Sequence, residues 1–340
     1  MSSERSRFDF LGLREQDCRM EAQGRTRPTS RVGYAITLVG CAIFVASLVM
    51  DLYCKPGHGV WAAYWYSFWG LSWKVFAIDP VSRAGLLLFF FGGVGIVAIL
   101  SVVGLVRSVL GRSLAWALAS ATASWFLTTV AFFFLQTFGR FPPGGARWPL
   151  LGLAVAAAGS IVVVLSSRGR KTAADPESHT DAQGRTSPVG RVGYAVTLLG
   201  CAVFVASRLM HVQDRLANGA YYSYSEFSMW WRNATIPTEH AAVLLFLFGG
   251  VALVAILSAV SLARSEVGRS FAWALAAGVA AWFLMSMGWL FPFGRFRLEG
   301  ERWALLGLLA AAAGSVIVVF ASRSRRTIPA DPGSRPDLPE

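Results

Sequence analysis

The stretch RVGYAITLVGCAIFVASLVM begins at Arg31, and a second copy, RVGYAVTLLGCAVFVASRLM, begins at Arg191. Fifteen of the twenty positions are identical, and four of the five differences exchange one aliphatic residue for another. Such self-similarity indicates an internal duplication. Nineteen apolar or small residues follow Arg31, and the matching run after Arg191 is interrupted by Arg208 alone. At about 1.5 Å of rise per residue, a run of this length crosses the hydrocarbon core of a bilayer. The two copies therefore predict a duplicated membrane-spanning helix.

The composition places the whole chain in the membrane class. Of 340 residues, 55% are hydrophobic and 15% are charged, which is outside the usual range of soluble domains. The net charge of +12 comes mainly from basic residues in tails and short loops beside apolar runs, where they act as topology signals. A nucleic-acid surface would need basic and aromatic residues interleaved on a soluble fold. The sequence predicts no nucleic-acid partner.

Three further apolar runs follow each copy of the opening stretch. The motifs GRSLAWALA and GRSFAWALA, beginning at Gly111 and Gly268, show that these runs are duplicated as well. The predicted spans cover residues 32–50, 84–106, 113–136, 148–167, 192–210, 241–263, 270–291 and 303–322. The sequence thus predicts an all-α integral membrane protein with eight transmembrane helices in two tandem parallel four-helix repeats.

The same pattern predicts the domain limits and the orientation. The divisions are a tail at 1–30, the repeats at 31–167 and 191–322, a linker at 168–190 and a tail at 323–340. Because each repeat has an even number of spans, both repeats enter the membrane from the same side, related by an axis along its normal. Twenty of the 31 Lys and Arg residues fall on the side of the termini. This bias predicts cytoplasmic termini and linker, and the Ala/Gly/Arg-rich composition favours a bacterial inner membrane.

Aromatic residues crowd the loop after the first span of each repeat. Tyr64–Lys74 holds six aromatic residues in eleven positions, and Tyr222–Arg232 holds five. Aromatic rings favour the headgroup zone, so each loop is predicted to form a short amphipathic segment at the outer interface. The alternative is that the rings cover the ends of the protein's own helices. The candidate interfacial aromatics are Trp65, Trp69, Trp73, Tyr224, Trp230 and Trp231.

Five basic residues are candidate contacts for lipid phosphate or another anion: Lys74, Arg140, Arg208, Arg232 and Arg295. The arginines at 140 and 295 occupy a repeated FGRF motif, where the alternative is snorkelling towards the headgroups. Arg208 replaces Leu48 of the first copy. A charge within a span is a functional hypothesis, although a residue in the last turn of its helix can also reach water.

Two glycine pairs, Gly92 with Gly93 and Gly249 with Gly250, lie inside the second span of each repeat. Small residues in a membrane helix usually allow a neighbouring helix to approach closely. We predict this packing role for both pairs. The alternative is a helix that unwinds around a substrate.

The sequence contains no catalytic Ser/His/Asp, HExxH or paired-carboxylate pattern and no Cys/His zinc spacing. It predicts a non-enzymatic protein without a cofactor or metal, whose aromatic outer loops engage outer-leaflet lipids or a membrane-protein partner. The alternative function is a passive transporter or channel for a hydrophobic or anionic small molecule between the repeats. The predicted spans contain no carboxylates, which argues against a proton-driven or sodium-driven pump.

Overall fold

The computed structural model describes residues 28–50, 53–56, 63–66, 80–106, 111–136, 147–168, 187–210, 212–215, 221–263, 269–293 and 299–324. Its helices are α1 (Pro28–Val49), α2 (Pro80–Val106), α3 (Gly111–Gln136), α4 (Arg147–Arg168), α5 (Pro188–Leu209), α6 (Glu226–Asn233), α7 (Pro237–Ala263), α8 (Arg269–Phe293) and α9 (Glu299–Ser324). All except α6 are long and apolar enough to cross a membrane. The prediction of a helical membrane protein with eight spans is confirmed.

Several of these helices begin before the apolar run that predicted them. The segments α1, α2, α5 and α7 each start at a proline, which is tolerated in the first turn because its missing N–H would have no partner there. Ser187 caps α5 by accepting a 3.1 Å hydrogen bond from the Gly190 N–H. Polar first turns of this kind carry no hydrophobic signal, so the spans were predicted to start later in the chain than the helices do.

Two short antiparallel hairpins lie outside the spans. Strand β1 (Tyr53–Pro56) pairs with β2 (Ala63–Tyr66), and β3 (Val212–Arg215) pairs with β4 (Tyr221–Tyr224). The hairpins follow α1 and α5, and we call this end of the bundle the hairpin end. Strands β2 and β4 contain the first residues of the amphipathic segments predicted to begin at Tyr64 and Tyr222, since Tyr and Trp fit a paired strand well.

The first and last spans of each half pack backbone against backbone. A Cβ atom built on Gly40 of α1 would lie 2.3 Å from the Ala156 backbone nitrogen of α4. A Cβ atom on Gly200 of α5 would lie 2.5 Å from the Ala311 backbone nitrogen of α9. Glycine permits this approach, as is usual where membrane helices associate. The same contact therefore forms at matching positions of both halves.

Helices α3 and α8 lie side by side at the boundary between the halves. The Ser113 and Ser270 hydroxyl oxygens are 3.3 Å apart, and the ring centroids of Phe132 and Trp289 are 6.2 Å apart. Both pairs join residues at matching positions of the duplicated sequence. Because the first pair lies near the helix starts and the second near the ends, α3 and α8 run parallel.

Large apolar side chains cover much of the outside of the bundle. Exposed residues on the spans include Ile99, Leu165, Leu199, Ile256 and Phe320. In water such an extended apolar surface would favour aggregation, whereas lipid chains solvate it well. Its position on the long helices fits a protein that sits in a bilayer.

Candidate functional site

Helix α6 is a short element that closes the hairpin end of the second half. Ser225 accepts a 3.0 Å hydrogen bond from the Ser228 N–H, and the Ser225 N–H donates to the Ser228 hydroxyl at 2.9 Å. This reciprocal capping satisfies two backbone donors at the helix start. Glu226 occupies the first turn, where a negative charge complements the helix dipole. Eight residues are too few for a stable isolated helix, so α6 depends on these caps and on its packing.

The two faces of α6 have different surroundings. Phe227 and Trp230 are partly buried against the core, with Phe227 5.9 Å from Phe248 and Trp230 6.0 Å from Trp289 between ring centroids. Met229, Trp231 and Arg232 are exposed, and the exposed fraction of Trp231 is 37%. One face of α6 therefore fixes the helix on the bundle, while the other remains available for contacts.

A partly buried ion pair joins α6 to the spans. Arg208, in the last turn of α5, donates from Nη1 to Glu226 Oε2. The indole nitrogen of Trp289, on α8, donates to the other carboxylate oxygen of Glu226 at 3.2 Å. The carboxylate thus connects two spanning helices through one side chain of α6. Charge-assisted hydrogen bonds of this type are among the stronger ones in proteins.

Arg208 does not reach water as its place in the last turn suggested. Only 4% of its surface is exposed, and its guanidinium carbon lies 4.7 Å from the centroid of the Phe204 ring. The reason is that α6 and the ends of α5 and α8 enclose the side chain. Its Nε–H has no hydrogen-bond partner within the described residues. The cation is therefore buried, paired once, and left with an unused donor.

A small cavity lies beside this ion pair. Its volume of ≈ 20 Å³ is enough for about one water molecule. Residues of both halves line it: Phe89, Thr128, Phe204, Arg208, Phe246, Leu247, Met285, Ser286 and Trp289. The alternative function places a solute path at this boundary, and a cavity of this size is too small to form one.

A π-helical turn, Leu245–Gly249, supplies Phe246 and Leu247 to the cavity. The matching segment of the first half, at 88–92, lies within the regular helix α2. A π-helical turn inserts one extra residue and re-aims the side chains around it, and such turns are frequent at functional sites. The cavity wall is thus one place where the two halves differ in backbone as well as in sequence.

The sequence-predicted contact residues are distributed over different places. Arg232 and Trp231 lie on the exposed face of α6 and Trp230 on its packed side, while Trp65 and Tyr224 lie in strands β2 and β4. Five candidates lie outside the described residues: the basic residues Lys74, Arg140 and Arg295, and the first-loop tryptophans Trp69 and Trp73. The structure brings Arg208 to Glu226, which the sequence had not singled out.

The glycine pairs lie at side-chain contacts. A Cβ on Gly93 would be 2.7 Å from Trp125, and one on Gly250 would be 2.6 Å from Trp282. Each tryptophan also packs edge-on against a phenylalanine of the first span, Phe44 or Phe204, at 4.9 Å. Gly92 and Gly249 face the opposite half, with the closest atoms in Leu284 and Leu127 at 2.8 and 3.4 Å from the added Cβ. All four lie where a neighbouring helix approaches.

Glu239 was also missed, because α7 begins four residues before its predicted start. It is buried, and its carboxylate accepts hydrogen bonds from the Thr235 N–H at 2.5 Å, the Thr235 hydroxyl at 3.1 Å and the Ile236 N–H at 3.3 Å. The prediction that the spans contain no carboxylates is wrong here. These bonds give partners to backbone N–H groups at the start of α7, so Glu239 has a capping role. Within the described residues, no three His, Cys, Asp or Glu side chains group to hold a metal.

Comparison with known protein families, curated proteins and solved structures finds no match to this chain.

Proposed function

We propose that this polytopic helical protein is a non-enzymatic, multi-pass protein of the cell membrane. In this proposal its hairpin end faces outward and contacts outer-leaflet lipids or a membrane-protein partner. The observation that carries the proposal is the division of α6 into a face fixed on the bundle and a face exposed beyond the spans. A helix in that position serves as a docking surface without any catalytic group.

The chemistry of the exposed face supports a lipid contact. Trp231 is amphipathic and prefers the headgroup zone, and the neighbouring Arg232 can pair with lipid phosphate. The packed face of α6 is aromatic as well: Trp230 forms a ring cluster with Phe246 and Trp289 of the spans. This cluster holds α6 in place. In the proposal, the exposed Trp231 therefore makes the interfacial contact, while Trp230 covers the helix ends.

We also infer that the two halves are tandem parallel repeats with the termini and linker in the cytoplasm. The parallel course of α3 and α8 and the matching glycine contacts support the repeat arrangement. The excess of Lys and Arg on the side of the termini supports the orientation. Both hairpins then lie on the outer side.

A spin label at position 231 tests the lipid contact. With the four native cysteines replaced, Trp231→Cys is labelled in reconstituted protein, and its collision rates with oxygen and with a water-soluble nickel complex are compared. We expect oxygen collisions to dominate, because oxygen concentrates in lipid and the nickel complex is excluded from it. Leu199→Cys, at an exposed position inside α5, provides the lipid reference, and Ser178→Cys in the linker provides the aqueous one. A label at 231 that behaves like the one at 178 would refute the lipid contact and favour a protein partner.

A further inference from the structure

The ion pair at the hairpin end has no polar counterpart in the first half. Aligning the two copies places Leu48 opposite Arg208, Phe68 opposite Glu226 and Phe132 opposite Trp289. The first half thus has three apolar side chains at the positions where the second half has a cation, an anion and an indole donor that contact one another. A buried cation is strongly unfavourable without a partner. The joint difference indicates a site built around Arg208.

Arg208 has a donor that Glu226 does not use. Glu226 accepts from Arg208 Nη1 and from Trp289, while the Arg208 Nε–H is buried without a partner in the described part of the chain. Arg208 also lines the cavity. Unpartnered buried donors indicate a missing acceptor, and a guanidinium fork suits the paired oxygens of a carboxylate or phosphate.

The carboxylate that pairs with Arg208 belongs to a separable element. Helix α6 contributes no buried residue, whereas Arg208 and Trp289 belong to spanning helices. Short elements with few buried contacts are the first to open locally. If α6 leaves, Arg208 loses its counter-charge and part of its cover, while Phe89, Phe204 and Phe246 stay beside it. An anion that enters from the membrane surface can then take the place of the carboxylate.

We propose that the Arg208 guanidinium is an oxyanion site that Glu226 occupies in this structure. A phosphate or carboxylate group, carried by a lipid headgroup or by a small solute, takes the site when α6 is released. Glu226 thus competes with the external anion for the Arg208 guanidinium. Because Glu226 lies on α6, binding of the anion changes the position of the exposed face of α6. The inference goes beyond the proposed lipid contact of Trp231 and does not depend on it.

Binding of inorganic phosphate to the full-length protein tests this site by calorimetry in phosphatidylcholine nanodiscs. We expect Glu226→Gln to bind phosphate at least about tenfold more tightly than the wild type, since α6 then no longer occupies the site for most of the time. The double variant Arg208→Leu/Glu226→Phe, which restores the residues of the first half, should bind none. Arg191→Gln, which removes an exposed charge at the start of α5, should bind like the wild type. Equal binding by Glu226→Gln and the double variant would overturn the proposal.

The second measurement uses the unchanged ion pair and does not rely on Glu226→Gln folding. A spin label on Arg232→Cys should gain mobility when the Glu226-containing protein receives phosphate, and the double variant should show no such gain. Adding phosphatidylglycerol to the nanodiscs separates the two sources of the anion. If the ligand is a lipid, phosphatidylglycerol alone should mobilise the label and should abolish the binding of phosphate. If the ligand is a solute, phosphatidylglycerol should change neither the mobility of the label nor the binding of phosphate. A label that responds to neither anion would contradict the site, whatever the result at position 231.

Discussion

Replacing Glu226 with alanine is expected to lower the free energy of unfolding by about 3 kcal/mol, because Arg208 would remain buried without a counter-charge. The value lies at the lower end of the range for a broken buried pair, since the Glu226 side chain is 24% exposed. The midpoint of unfolding by denaturing detergent, measured on purified protein, gives this difference. Trp289 would lose its acceptor at the same time, which acts in the same direction.

The double variant Arg208→Leu/Glu226→Phe is the matched control for this prediction. It removes both charges and supplies the apolar residues of the first half, so most of the lost stability should return. Arg232→Ala removes an exposed charge from the same helix and should change stability by less than about 0.5 kcal/mol. If Glu226→Ala is as stable as the wild type, the ion pair does not hold α6 and the account of the hairpin end is wrong.

Replacing Gly200 with leucine is expected to separate α5 from α9 and to cost about 3 kcal/mol or more. A Cβ there would lie 2.5 Å from the Ala311 nitrogen and 2.6 Å from the Gly307 oxygen. Both atoms belong to the backbone, so no side-chain rotation relieves the overlap. The folded fraction after extraction into mild detergent, followed by the unfolding midpoint, measures the effect.

The first half offers an internal comparison for this substitution. Gly40→Leu creates the same overlap with α4 and should be as damaging, because a Cβ at Gly40 would lie 2.3 Å from the Ala156 nitrogen. Gly95→Leu, at a glycine whose added Cβ would meet nothing within 4 Å, should be tolerated. Similar stability for Gly200→Leu and Gly95→Leu would show that the helix contact is looser than described.

The spans could be predicted because their signal is local: a bilayer needs about twenty apolar residues, and each run supplies them. The starts of the spans could not be predicted, because the first turns at Pro80 and Pro237 contain polar residues and carry no hydrophobic signal. This is why Glu239 was placed outside a span. The hairpins were missed for a related reason, since clustered aromatic residues such as those of Tyr221–Tyr224 fit a strand or a helix equally until pairing decides between them.

The ion pair was hidden because its partners lie 18 positions apart, on either side of a hairpin. Its signal was nevertheless present in the duplication, where Leu48 and Phe68 stand opposite Arg208 and Glu226. The close helix contacts had a signal as well. Gly40 recurs as Gly200 in the repeated stretch. Which helix it contacts is a property of the tertiary packing, and the neighbouring Gly–Gly pairs gave a stronger local pattern.

Accessibility of single cysteines in intact cells tests most directly the claim that the hairpin end is the outer, contact-making end. In protein whose four native cysteines are replaced, Arg232→Cys on α6 and Ser178→Cys in the linker are treated with a membrane-impermeant maleimide. The account predicts labelling at 232 in intact cells and at 178 only after the membrane is permeabilised. Labelling at 178 in intact cells, with none at 232, would invert the orientation and contradict the proposed function.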